Sequence, residues 1–289
     1  MTFDAFLETA WNDHGDRPDE VADRLAASTA VITAASHVAP YARIVAHVYG
    51  EHLGAWQRGL DLLHALRALP AAAGDAGAEA AIARSIATLR VASGDEAAAA
   101  PLAGEDRVSV LAAVAATLAG RGEFERAIAA YADALAHAAR GLPDGSPALR
   151  ALAVGGNNLA ASLEEKRDRS ARETEGMLAA AEGGLTYWRR AGTWLEEERA
   201  LYRLARSLLA AGRPQGAVGH AQACVSVCAA HDAPPFERFF ADAILAVALR
   251  AAGDADGFAA ARAAARRHYE QVPADERTWC AADLAELDG

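Results

Sequence analysis

Residues 111–134 read LAAVAATLAGRGEFERAIAAYADA, and the spacing of their small and apolar side chains decides the fold. Leu111, Val114, Ala115 and Leu118 recur at helical steps, Arg121-Gly122-Glu123 interrupts them, and Ala127, Tyr131 and Ala134 resume the period beyond. Three- and four-residue steps on both sides of a glycine predict two helices joined by a tight turn. The template shifted to Gly212 finds Leu201, Leu204, Ala205 and Leu208, then Ala217, Ala221 and Cys224. At Gly253 it finds Leu245, Ala246 and Leu249, then Phe258 and Ala265. Weaker copies centre on Gly15, Gly54 and Gly94, and a copy without glycine turns at Lys166-Arg167-Asp168-Arg169. With Arg167 as its anchor, successive turns fall 39, 40, 28, 45, 45 and 41 residues apart, so seven helix pairs fill the chain. The short interval leaves room for only a brief second helix, which Pro101 ends.

Composition agrees with this pattern. The 289 residues are 53% apolar and 23% charged, enough to bury a full core and to set disorder aside. Alanine makes up about 27% of them. It is the best helix former and a poor strand former, which disfavours a sheet. It also lets two helix axes approach closely, with one larger residue such as Tyr131 sealing against the next pair. A single pair cannot bury its own apolar face, so stacking must supply the core. The competing reading is an irregular alanine-rich bundle whose small residues fit any such template.

The run Leu111 to Ala134 resembles a tetratricopeptide repeat, with its Gly-Asp/Glu-aromatic turn at Gly122-Glu123-Phe124 and its second helix of Ala127, Tyr131 and Ala134. Leu201 to Cys224 matches similarly, and Asn157-Asn158-Leu159-Ala160 is similar to the opening of longer units of the kind found in kinesin light chain. Repeats of that family run about 34 residues; the wider spacing here resembles the 40–45-residue variant. The resemblance implies an all-α solenoid of stacked antiparallel helix pairs in a right-handed superhelix, one array over 1–289. A weak N-terminal pair would occupy 1–38, divergent repeats 39–104, the best-matching repeats 105–271 and a C-terminal capping helix 272–289.

It also implies that first helices line a concave groove. Projected groove positions fall on Tyr41, Ile44, Val48, Glu51 and His52 in the second pair, and on Asn157, Asn158, Arg199, Tyr202, Arg203 and Arg206 later. Arg199, Arg203 and Arg206 recur at four- and three-residue steps and so share one helix face, with Tyr202 beside them. Three guanidiniums in a chain of net charge −11 make a local positive field suited to carboxylate or phosphate. Asn158, Arg199 and Arg203 resemble part of the carboxylate clamp by which some family members hold a peptide C-terminus, although Ala112 and Ala116 stand where its lysine and first asparagine would be. The plainer alternative is an ordinary solvated face in which Glu196, Glu197 and Glu198 pair with the arginines along the helix. For Asn157 and Asn158, read as lying early in a helix, the alternative is capping or interhelix bonding.

Sequence signals for chemistry are weak. His220, Cys224, Cys228 and His231 form one helical stripe, but the rise of about 1.5 Å per residue spreads them too far for one ion, and Cys224 sits at a small-residue packing position. His47-Val48-Tyr49-Gly50-Glu51-His52 does not have the His-Glu-x-x-His order of zinc proteases, and no phosphate loop or nucleophile elbow occurs. Phe236, Phe239 and Phe240 after Pro234-Pro235 read as a helix start with buried staples rather than a ligand box. Acids outnumber bases 39 to 28, against a nucleic-acid partner. Three cysteines are too few for a disulfide framework, and the acidic first residues carry no leader pattern, which together favour the cytoplasm. No stretch reaches the roughly 18 apolar residues of a membrane span. One lysine, Lys166, among arginines suggests a GC-rich bacterial genome. The expectation is a non-enzymatic adaptor or regulatory scaffold, without cofactor, that holds an acidic protein or peptide segment. The alternatives are a self-associating structural protein, including a homodimer, and a small-molecule- or metal-sensing module.

Overall fold

In the best-matching pair, α6 (Gly104–Gly120) and α7 (Phe124–Ala138) flank a turn in which Gly122 takes φ +74°, a left-handed conformation that favours glycine. The positions marked by the template form its seam. Ala115, Ala127 and Ala134 are fully buried, and Leu118 and Tyr131 nearly so. Val108 and Val110 are buried as well, so α6 is covered on more than one side, as a helix with stacked neighbours must be.

The computed structural model describes residues 2–102 and 104–288, and among these every regular element is helical. Before α6 come α1 (Phe3–Asp13), α2 (Pro18–Ala27), α3 (Ala35–Ala46), α4 (Trp56–Leu66) and α5 (Ala76–Ala92). After α7 come α8 (Pro147–Glu165), α9 (Ala171–Ala191), α10 (Trp194–Ala210), α11 (Pro214–Ala230), α12 (Pro235–Ala251), α13 (Ala255–Gln271) and α14 (Ala281–Glu286). All seven predicted turns separate a first helix from a second. The third pair has only the 3-10 turn Glu96–Ala99 as its second member, followed by Pro101.

The glycine-free turn after α8 is closed by an arginine. Arg169 Nη1 donates to the carbonyls of Leu163, Glu164 and Lys166 at 2.8, 2.7 and 2.6 Å, satisfying helix-end acceptors that a left-handed glycine would otherwise help to close. Ser170 and Glu173 then form a capping box at the start of α9, and Thr193 and Glu196 form another at the start of α10.

The chain forms two compact units, Met1–Ala151 and Leu152–Gly289, whose boundary falls inside α8. In the first unit, the projected groove positions Tyr41, Ile44 and Val48 are fully buried, which corrects the expectation that they line an open surface. The pair α1–α2 packs over α3: the Tyr41 hydroxyl donates to the Leu25 carbonyl, and that of Tyr49 to the Ala22 carbonyl at 2.7 Å. In the second unit, Leu201, Leu204, Ala205, Ala217, Ala221 and Cys224 repeat the α6–α7 seam in α10 and α11.

The seam has no room for larger side chains. Ala127→Leu is expected to destabilise the fold by about 1–3 kcal/mol through overpacking, read as a lower urea midpoint. An unchanged midpoint would mean that the pair does not close on small residues.

Candidate functional site

The residues singled out on α10 do share one face, and the structure gives each a partner. Arg199 Nη2 donates to Glu237 Oε1 of α12 at 2.5 Å, and Arg203 Nη1 to Glu164 Oε2 of α8 at 2.5 Å. Arg206 pairs with Glu286 of α14, and the Tyr202 hydroxyl donates to Asp283 of the same helix at 2.5 Å. Glu164 also accepts from the Ser207 hydroxyl at 2.5 Å. In the second unit, then, α10 lies between α8 and α12 in a layer of first helices, with the acidic α14 folded over part of it.

The three acids at the start of α10 each have contacts of their own. Glu196 closes the capping box with Thr193, Glu197 accepts from Arg189 at 2.8 Å, and Glu198 is buried. Glu196 thus closes the N-terminal turn of α10, Glu197 ties it to α9 and Glu198 packs beneath, while carboxylates from other helices reach the arginines.

Asn157 and Asn158 lie in the middle of α8 rather than early in it, because Pro147 starts the helix well upstream. Asn157 faces α9: a Cβ added at Gly184 would meet its Oδ1 at 2.6 Å, so this glycine makes the close approach possible. Asn158 is exposed on another side of α8. The structure thus brings the three arginines and Tyr202 together and leaves Asn157 in a helix seam.

α14 is anchored by apolar contacts. Cys280 and Leu287, one on each side of it, are buried in a cluster with Phe239, Ala243, Ala246 and Val247 of α12. Phe240 bridges outward: its ring meets Tyr202 edge-on at 5.9 Å and Phe236 at 5.0 Å. Burial and the neighbouring Asp283 hold the Tyr202 phenol protonated, while burial pushes the Asp283 carboxyl up from its usual range.

Beneath this surface, Glu198 and Glu237 lie against each other. Burial, opposed by a hydrogen bond from Cys224 and reinforced by the Glu237 charge, pushes the Glu198 carboxyl up to about 7. Cys224 Sγ lies 3.0 Å from Glu198 Oε1, and burial pushes its thiol well above the ordinary range. Cys228 is pushed up to about 12 by the same cause, so both cysteines of the helical stripe are packed thiols. His231 instead stacks on Trp194, with ring centroids 5.3 Å apart. One grouping the sequence reading passed over does converge: His14, His47 and His52, in the first unit. Its signal is hidden because a break in helical periodicity aligns two of its members.

Two solved structures share the architecture. A kinesin light chain-like protein of Podosopora anserina with nearly identical TPR-like repeats aligns over 78% of this chain and 92% of its own, with a TM-score of 0.50 and 16% identity. A single-substitution variant of that protein aligns over 80% and 95%, again with a TM-score of 0.50 and 16% identity. This is a TPR-like repeat fold. No family model and no curated protein matches the sequence. No helix among the described residues of this TPR-like chain is long and apolar enough to cross a membrane.

The raised Glu198 carboxyl has a definite sign in stability. The folded chain holds this proton more tightly than the unfolded one, so the contribution is full below the ordinary glutamate range and is lost as pH rises through about 7. Thermal unfolding is expected to show a midpoint that falls between pH 5 and pH 8 in the wild type and falls less in Glu198→Gln. Identical profiles would return Glu198 to its ordinary range.

Proposed function

We propose that the protein is a non-enzymatic adaptor or regulatory scaffold that binds an acidic protein or peptide segment on the first-helix surface of its second unit. Arg199, Arg203 and Arg206 are the anion anchors and Tyr202 is a hydrogen-bond donor beside them. Asn158, exposed on the neighbouring α8, is a further polar group for the segment, and Asn157 lies in the close approach of that helix to Gly184 of α9.

The observation that carries this reading is that an acidic segment of the chain already lies there. Asp283 and Glu286 of α14 engage Tyr202 and Arg206 as the carboxylates of a bound peptide would. Guanidinium–carboxylate pairs are directional and strong for their size, and one carboxylate can replace another at little net cost. An incoming acidic segment therefore competes with α14 for Arg206 and Tyr202, while Arg199 and Arg203, held by the largely buried Glu237 and Glu164, add positive charge beside them. The three cysteines, all free and buried, fit the reducing cytoplasm of the bacterial cell that the composition suggests. Self-association is the competing reading, favoured by Trp279, which is 74% exposed just before α14.

The test uses a fluorescent peptide with the sequence of residues 277–288 supplied in trans. Asp283→Asn/Glu286→Gln in the full chain is expected to bind it at least about tenfold more tightly than the wild type, a difference of about 1.4 kcal/mol. Adding Arg203→Ala and Arg206→Ala should abolish the gain. Equal affinities in all three proteins would refute the anion-anchor reading, and a mass of two chains by light scattering, lost in Trp279→Ser, would favour self-association.

A further inference from the structure

In the first unit, α3 does not end at a cap. It runs into a π-helical turn, His47–His52, before Gly54 closes the pair with φ +60°. The wider turn is marked by the Leu53 amide donating to the Val48 carbonyl at 3.1 Å, five residues back. Its consequence is geometric. On an α-helix, residues five apart point about 140° away from each other. The π turn brings i and i+5 back to one side, and here it puts His47 and His52 face to face, with Nε2 atoms 3.2 Å apart.

A third imidazole completes the group. His14, at the C-cap of α1, has its ring centroid 4.8 Å from His47 and 5.0 Å from His52, while those two are 4.8 Å apart. One ligand nitrogen from each of the three lies within 4.8 Å of the others. Tetrahedral zinc with Zn–N bonds of about 2.0–2.1 Å separates its nitrogens by about 3.3 Å. The His47–His52 edge already has that length, and His14 needs only a side-chain adjustment.

The outer contacts orient the donors inward. Nδ1 of His47 lies 2.9 Å from Glu51 Oε2, and Nδ1 of His14 bonds to the Trp11 carbonyl. The Trp11 carbonyl accepts a hydrogen bond from His14 Nδ1–H, and the Glu51 carboxylate at ion-pair distance favours a proton on His47 Nδ1, which leaves Nε2 as the lone-pair nitrogen of both rings. Gly120, the last residue of α6, makes the Glu51 position possible, since a Cβ there would lie 2.3 Å from Glu51 Cγ. Burial, together with the His47 and His14 rings, lowers the pKa of His52, and neutral imidazole is the form that ligates metal. Trp11 walls the group, 5.1 Å from His14 and 5.2 Å from His47, with Arg43 5.3 Å from the Trp11 ring centroid.

We propose that His14, His47 and His52 form a three-imidazole site for a divalent transition-metal ion, zinc being the ion these donors fit, with Glu51 orienting His47 from behind. The ion replaces the His47–His52 hydrogen bond, and His52 shifts its proton from Nε2 to Nδ1. Three protein ligands leave the fourth tetrahedral position to water or to a carboxylate from outside the chain. The ion ties the end of α1 to the turn of the second pair, so the site belongs to the N-terminal repeats and is independent of the arginine surface.

Isothermal titration of the untagged full chain with Zn2+ tests this. One ion per chain with a dissociation constant below about 1 μM is expected, with at least a 100-fold loss in His52→Ala and in His14→Ala. Glu51→Gln and Gly120→Ala, which leave all three ligands in place, should lose about tenfold. Co2+ should give the intense visible bands of a four-coordinate site. Circular dichroism of each variant verifies its helix content, and the half-buried His14 keeps the test decisive if His52→Ala unfolds. The proposal is overturned if the wild type takes up no zinc at 0.1 mM, or if a helical His14→Ala binds as tightly as the wild type.

Discussion

Two helix axes can approach closely only where the side chains between them end at Cβ, and the rest of this structure follows from that requirement. Ala115, Ala127 and Ala134 meet it in one pair, Ala205, Ala217 and Ala221 in another, and Gly184 meets it most severely by lying against the side chain of Asn157. Each alanine buries little apolar area, so no single seam holds much free energy. Stability has to be collected from many similar seams, which is why the period repeats through the chain. Larger residues such as Tyr131, Tyr41 and Phe239 then appear where a seam must be sealed against the next layer.

A core assembled this way uses few charged groups, and those left on the first-helix surface are tied across helices. Arg199, Arg203 and Arg206 each reach a carboxylate on a different element, so the pairs act as cross-links between repeats as well as neutralising one another. Glu164 and Glu237 are largely buried, so their pairs fix α10 firmly against α8 and α12. Glu286 is 35% exposed, and its pair with Arg206, worth about 1 kcal/mol or less, suits exchange with another carboxylate. A strongly buried pair there would resist replacement of α14 by another acidic segment.

Turn positions and seams were legible in the sequence because both are local. Gly54, Gly94, Gly122, Gly212 and Gly253 all adopt positive φ where the pattern placed a turn, and the buried alanines fall at the marked spacings. The face shared by Arg199, Arg203 and Arg206 was legible for the same reason. Their partners were not, because Glu237, Glu164 and Glu286 are distant in sequence and only the stacking of repeats brings them near. Asn157 was misplaced within its helix because Pro147 begins α8 more than two turns before the small-residue pattern becomes recognisable. Burial of Tyr41, Ile44 and Val48 depended on α1 and α2, whose sequence carries the weakest copy of the template.

The histidine group shows what a periodic reading cannot reach. His47 and His52 are five apart, a separation that an α-helical projection puts on different sides, and the π turn reverses this by inserting width into one turn. Such a turn gives up regular hydrogen bonding and persists only where surrounding packing fixes it. Here Gly50 supplies that packing: a Cβ at this position would lie 2.8 Å from Leu89 Cδ2 and 3.3 Å from Thr117 Cγ2, so α5 and α6 press directly on the turn. The seam requirement that builds each pair thus also holds the irregular turn in place. Three of the nine histidines converge at a point where the helical period fails, and that convergence is stronger evidence of a site than any spacing along the chain.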